Sequence, residues 1–403
     1  MKATARTFVF LALLAAAWVS AGAAPVRDAV TGAPRPVDFA RDYVTAYARV
    51  HEGRGAPPEG EAGNTLGATL GAPRVELLGG PYFIHPPPAL LLVLPLVPLG
   101  FAGAAWAWLA LSLVALAALA ACLVEALDGR RAHAVALTVV LLAWPPVLHG
   151  LAKGQWSLIL AALIALGARD LERGRPRAAG VWLGVAASLK ATPALLLVYL
   201  VVRERRAARA MLATGVGVAA LSIAVNGFAP WIAWFTDAPR DVAAWQTWTA
   251  NTASLAGVVG RLFAGGPFAT PLVAAPGLAR ALTIALSLAL VAALALVTRR
   301  APPTREADRA TFAAWLALVV VLNPLAWTHT VILALPALAR FARGPAALAL
   351  VVLSIPRETL LVLAGSIPVQ TVPGLALSLH AAALVVFAAV AAKAALSASS
   401  SAG

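Results

Sequence analysis

Long apolar runs of Ala, Leu and Val recur along the chain, separated by short breaks rich in arginine, glycine and proline. Read as membrane helices, the runs fall at about 7–24, 103–127, 132–149, 155–169, 177–191, 193–203, 207–226, 278–298, 309–322, 329–342, 345–363 and 375–393. Several are shorter than the ~20 residues that cross a bilayer, so one end of each must stop against a protein-lined cavity. The short runs meet at LHGLAKGQWS (148–157), SLKATP (188–193) and NPLAWTHT (323–330). The pattern predicts an all-α polytopic membrane protein, a bundle of about 12 transmembrane helices that forms a single domain over 1–403, with a cavity built from broken helices.

Composition agrees with lipid as the main solvent. Of 403 residues, 61% are hydrophobic and 12% charged, against about 25% charged in soluble domains. The charges also set the topology. DGRR (128–131), RDLERGRPR (169–177), RERRAAR (203–209), TRRAPPTREADR (298–309), RFAR (340–343) and Lys393 fall on one side only if 87–101, short and broken by proline, lies in the interface instead of crossing. Counting Lys2 and Arg6, nineteen of the 31 Lys and Arg residues are then cytoplasmic, and so are both termini. Residues 25–102 become an outer loop with interfacial helices, 227–277 a second outer loop, and the three helix breaks face outward. The first run is read as a retained helix, with a cleaved signal ending in small residues as the alternative.

A net charge of +14 invites a nucleic-acid reading, but no basic stretch is interleaved with stacking aromatics. The single cysteine, Cys122, lies in an apolar run, so no disulfide, zinc or haem pattern exists. Signatures for nucleotide binding, zinc hydrolysis and a serine nucleophile elbow are absent from the sequence.

Polar residues at the ends of membrane helices are site candidates. Lys190, ahead of Pro193, is either a snorkelling lysine or a phosphate-binding cation at a helix break. Gln155 offers an amide to hydroxyls, and Trp156 a flat apolar face or an interface anchor. Asn323, Trp327 and His329 cluster in one short stretch. Arg357 and Glu358 sit in an apolar run, and as helix neighbours they point apart. In FARDYVTAYARVHEG, Phe39, Tyr43, Ala46 and Val50 form a helical stripe suited to the membrane interface. Asp38 precedes that stripe as a candidate N-cap, and Asp42 lies one turn further along a similar face.

With these residues assembled, the chain resembles glycosyltransferase family 87, whose characterised members are polyprenyl-phosphate-mannose-dependent α-mannosyltransferases of the GT-C superfamily. The resemblance runs in order through DFARDYVTAYARVHEG, then IHPPPALLLVLPLVPLGF, then Gly154–Gln155, then Lys190–Pro193. It continues through Asn251, Ser254, Leu255, Gly257 and Arg261 in ANTASLAGVVGRLF, and through NPLAWTHT. Departures are His85 where an aromatic residue is usual, Asn323 in place of a small hydroxyl and Thr330 in place of a second histidine.

The resemblance implies a GT-C-type helical module around an outward cavity in the cell membrane. It also implies inverting transfer of a sugar from a polyprenyl-phosphate donor to a lipid or glycan acceptor, with no cofactor, metal or nucleic acid. By matched position, Asp38 is the expected base, with Asp42 the alternative base or its support. Lys190, Arg261 and His329 are expected at the donor phosphate, and Gln155, Asn251, Trp327, Trp156, Asn323 and His85 around sugar or acceptor. The rival readings are a transporter or flippase of lipid-linked sugars, and an inactive partner subunit of the same architecture.

Overall fold

The computed structural model describes residues 36–53, 60–73, 85–126, 141, 144–246, 253–265, 269–338, 345–355 and 377–398. The described residues are helical, with no β-strand element among them. In chain order they form α1 (Val37–Glu52), α2 (Gly60–Thr69), a broken helical segment over 87–99 and α3 (Gly100–Ala126). Next come α4 (Pro145–Lys153), α5 (Ser157–Glu172), α6 (Pro176–Leu189), a 3-10 turn (Thr192–Leu195), α7 (Leu196–Arg203) and α8 (Arg205–Asn226). They are followed by α9 (Ala229–Gln246), α10 (Leu255–Phe263), α11 (Pro276–Arg300) and α12 (Arg305–Val321). A helical stretch over Thr328–Leu338 leads to α13 (Pro345–Leu353) and α14 (Leu379–Ser397).

Among the described residues, four helical stretches are long and apolar enough to cross a membrane: Pro87–Ala126, Arg205–Asn226, Pro276–Arg300 and Leu379–Ser397. Val216 and Leu221 on α8, and Ile284 and Leu288 on α11, are exposed, as lipid-facing side chains would be. The shorter α12 is the opposite case: every side chain from Ala310 to Val321 is buried. A helix that is apolar all round belongs inside a bundle, and there its ends need not reach the headgroups. Small residues let the helices approach, since a Cβ added to Gly184 on α6 would stand 2.7 Å from the Met211 carbonyl oxygen on α8.

The expected helix breaks are where the sequence sets them: at 154–156 between α4 and α5, at Lys190 and Ala191 after α6, and at 322–327 after α12. The arginine clusters gather at the other end. α5 and α12 each rise about 24–26 Å from one end to the other, and there Arg309 pairs with Glu172 at 3.2 Å. Arg173 pairs with Glu125 at 2.6 Å, and Arg203 joins Asp308 and donates to the Ala301 carbonyl oxygen at 2.7 Å.

One local expectation is corrected. The stripe on α1 does not lie against lipid, because protein already covers it: Phe39, Tyr43 and Ala46 are fully buried, and only Val50 is open. Phe39 stacks on Trp108 of α3 at 4.8 Å, and Tyr43 meets Phe101 edge-on. Residues 87–99 are likewise covered on one side, with Leu90, Val93 and Val97 buried and the Tyr43 hydroxyl donating to the Val97 carbonyl at 3.2 Å. Gly100, at φ 67°, then turns the chain into α3. The first run, most of 132–149, Asn251, and the Arg357–Glu358 pair lie outside the described residues.

Candidate active site

The site is assembled on a backbone contact. α4 ends at Gly154, whose φ of 67° and ψ of 40° are the left-handed cap that glycine adopts without a Cβ penalty. A second constraint applies at the same residue. A Cβ on Gly154 would stand 2.5 Å from Pro36 Cβ and 2.7 Å from Phe39 Cβ, so the first turn of α1 rests directly on the break. The Gly154 carbonyl oxygen also accepts the Trp108 indole N–H at 2.9 Å, which ties α3 to the same point.

This contact sets two consecutive residues of the break against two carboxylates one turn apart. Gln155 Nε2 donates to Asp38 Oδ2 at 2.5 Å, and Trp156 Nε1 donates to Asp42 Oδ2 at 2.6 Å. Arg41 donates to the other oxygen of Asp38 at 3.3 Å. The N-cap reading of Asp38 is therefore corrected. Pro36 occupies the cap, no side chain caps the helix, and Asp38 lies in the first turn with its carboxylate turned to Gln155 and Arg41. An acid there still suits the positive end of the helix dipole.

The other two breaks bring their side chains to the same place. Asp38, Arg41, Asp42, His85, Gln155, Lys190, Leu325, Trp327 and His329 line one cleft. Lys190 enters it from the end of α6, where the backbone turns extended at φ −149° and ψ 129° before the Thr192–Leu195 turn. After α12, Asn323 Oδ1 accepts the Leu325 amide at 3.1 Å and shapes the turn that leads to Trp327. Trp327 meets His329 edge-on at 5.8 Å. The free space among these groups is small, about 20 Å³, room for roughly one water molecule.

Burial dominates the electrostatics. The Asp42 carboxyl is pushed up to about 7 chiefly by burial, against the opposing pull of the Trp156 hydrogen bond and the positive charge of Arg41; Asp38 adds to the rise and Lys190 offsets part of it. His85 is pushed well below its ordinary range by burial, with Lys190 and Arg41 acting in the same direction. Its Nε2, 4.0 Å from Asp42, is thus a neutral neighbour of that carboxyl at pH 7 rather than half of an ion pair.

Of the residues singled out in the sequence, Asp38, Asp42, His85, Gln155, Lys190, Trp327 and His329 meet in the cleft. Trp156 stands behind it, buried between Trp108 at 4.6 Å and His85 at 5.4 Å, so its ring is covered and only its N–H acts, on Asp42. Arg261 does not line the cleft: its Nη2 donates to Ser378 Oγ at 2.9 Å and ties α10 to the start of α14. Asn323 is buried in its turn, and Asn251 lies outside the described residues. Arg41 and His149, which touch Asp38 and His329 respectively, carry no role in the sequence reading. For Arg41 the signal was its i,i+3 spacing from Asp38; for His149 it was its place in the LHGLAKGQWS break.

The raised Asp42 has a measurable consequence. Folding favours its protonated form, so this group's contribution to stability is full near pH 4 and is lost as pH rises to about 7. In thermal unfolding of detergent-solubilised protein, wild type should lose stability relative to Asp42→Asn across that window. Parallel pH profiles for the two proteins would contradict the assignment.

Residues 83–324 match the family model of glycosyltransferase family 87. No curated protein and no solved structure matches the chain. The matched span takes in His85, Gln155, Lys190 and the first two helix breaks, and ends at Pro324 inside the third, while α1 with Asp38 and Asp42, Trp327 and His329 lie beyond it. It covers more than half of the 403 residues, and with the apolar helices of the bundle it establishes that the chain belongs to glycosyltransferase family 87, as a multi-pass membrane glycosyltransferase.

Proposed function

We propose that this glycosyltransferase moves a sugar, mannose by family resemblance, from a polyprenyl-phosphate donor to a lipid or glycan acceptor at the outer face of the cell membrane, with inversion at the anomeric carbon. The observation that carries the proposal is the meeting of a paired acid, Asp38–Asp42, with Lys190 and His329 in one cleft. Inverting transfer from a lipid phosphate needs these two kinds of group: a carboxylate to take the acceptor's proton and donors to stabilise the departing phosphate. In this reading the sides of the membrane follow the arginines, which face the cytoplasm, and the shorter helices complete a twelve-span GT-C-type bundle.

The acceptor hydroxyl attacks the anomeric carbon while the bond from that carbon to the phosphate oxygen breaks. Asp38 takes the hydroxyl proton. Its two oxygens are held by Gln155 and Arg41, yet a carboxylate has about four lone-pair positions, so a hydroxyl can still bind. Lys190 and the His329 ring face the phosphate as it gains negative charge. Asp42, held by the Trp156 N–H, supports the first turn of α1 from beneath. Trp327 and His85 border the sugar. The narrowness of the cleft means that its walls must part to admit a hexosyl phosphate.

Asp38→Asn should abolish transfer from a polyprenyl-phosphate sugar in membranes while folded protein persists; retained transfer would refute Asp38 as the base. Lys190→Ala should raise the KM for the donor by about tenfold or more, as loss of a charge-assisted hydrogen bond does, with a smaller effect on the acceptor. Equal effects on the two substrates would count against a phosphate role.

A further inference from the structure

His149 lies on α4, within two turns of Gly154, inside the LHGLAKGQWS break. Its ring lies nearly parallel to that of His329, with an interplanar angle of 6° and centroids 5.6 Å apart, and the two Nδ1 atoms are 3.4 Å apart. The approach is built into the fold. α4 packs against the Thr328–Ala334 segment, and a Cβ added to Gly150 would already be in contact with Ile332 at 3.5 Å and with His329 Cβ at 3.7 Å.

Two facing Nδ1 atoms cannot both carry a proton without repulsion, nor both present lone pairs. One proton therefore lies between the rings, and its placement decides what His329 offers the cleft. His329 lines the cleft, its Nδ1 is engaged with His149, and its Nε2 has no protein hydrogen-bond partner among the described residues. If His329 held the shared proton as a neutral ring, Nε2 would turn a lone pair toward an anionic ligand and repel it. If it held both protons, a second full positive charge would stand in the cleft beside Lys190, which like-charge repulsion opposes.

We propose that His149 is a positioning residue. Its Nδ1–H donates to His329 Nδ1, and this fixes His329 as the neutral tautomer that presents Nε2–H to a phosphate oxygen of the donor. Which ring nitrogen of a histidine carries the proton is set by the hydrogen bond that its other nitrogen makes. The inference rests on the proposed function for the identity of the anion, but the tautomer itself is a property of the resting protein.

The test uses full-length protein with 15N-labelled histidine, in which the His329 signals are identified by their loss in His329→Gln. Nitrogen shifts should report His329 as Nε2–H with Nδ1 unprotonated. An Nδ1–H tautomer, or a doubly protonated ring, would overturn the proposal. In turnover, His149→Phe should lower kcat by about tenfold or more, the scale of one lost hydrogen bond to a group that acts on charge, with the acceptor KM unchanged. His149→Asn, which keeps a donor near the Nδ1 position, should recover most of the rate. A purely packing role predicts the reverse order, with Phe tolerated better than Asn, and that order would also overturn the proposal. The nitrogen measurement needs no substrate. Failure of the wild-type protein to use a polyprenyl-phosphate sugar would therefore overturn the proposed function while the tautomer is still decided.

Discussion

The close approach of the Gly154 backbone to the first turn of α1 is the constraint from which the site follows. Any side chain at residue 154 would collide with Pro36 and Phe39, and the left-handed backbone there independently favours glycine. With the helix break seated against α1, residues 155 and 156 fall opposite Asp38 and Asp42, and each acid gains a donor from a side chain more than 100 positions away. Phe39 then fills the space against Trp108, whose indole returns to the Gly154 carbonyl. The loop that carries the acids is thereby fastened to the membrane helices by aromatic packing as well as by hydrogen bonds.

The cleft that results holds groups that would be costly to bury singly. Asp38 and Arg41 compensate each other, the Trp156 N–H donates to Asp42, and Lys190 faces both acids. Burial nevertheless lifts Asp42 to about 7, so the two members of the pair differ in environment although they are one helical turn apart. Asp38 is fixed through both oxygens at the open side, whereas Asp42 is enclosed against an indole. Environments that differ in this way can give adjacent acids separate tasks.

Much of the frame was legible in the chain itself. Runs too short to cross lipid announced protein-lined ends, and the breaks at Gln155, Lys190 and 323–330 followed from glycine and proline placement. The four-residue spacing of Asp38 and Asp42 put both on one helical face. The rest depended on contacts between distant segments. An amphipathic stripe looks the same whether it meets lipid or Trp108, so the burial of α1 could not be read from its periodicity. Asp38 had the position of an N-cap, but Gln155 offered its carboxylate a partner that a local rule does not include. Trp156 and Arg261, expected at substrate, have donors turned to protein groups, the Trp156 N–H to Asp42 and the Arg261 Nη2 to Ser378 at the start of α14, which only the tertiary contacts reveal.

The central claim is that the phosphate of a lipid-linked sugar lies between Lys190 and His329 with the acceptor side open to Asp38. A cryo-EM structure of the full chain with a non-transferable polyprenyl-phosphate sugar analogue tests it directly. The phosphate should lie within hydrogen-bond distance of Lys190 Nζ and His329 Nε2, with the anomeric carbon facing Asp38. A phosphate bound instead at the arginine-rich opposite end, with the Asp38 cleft empty, would contradict it.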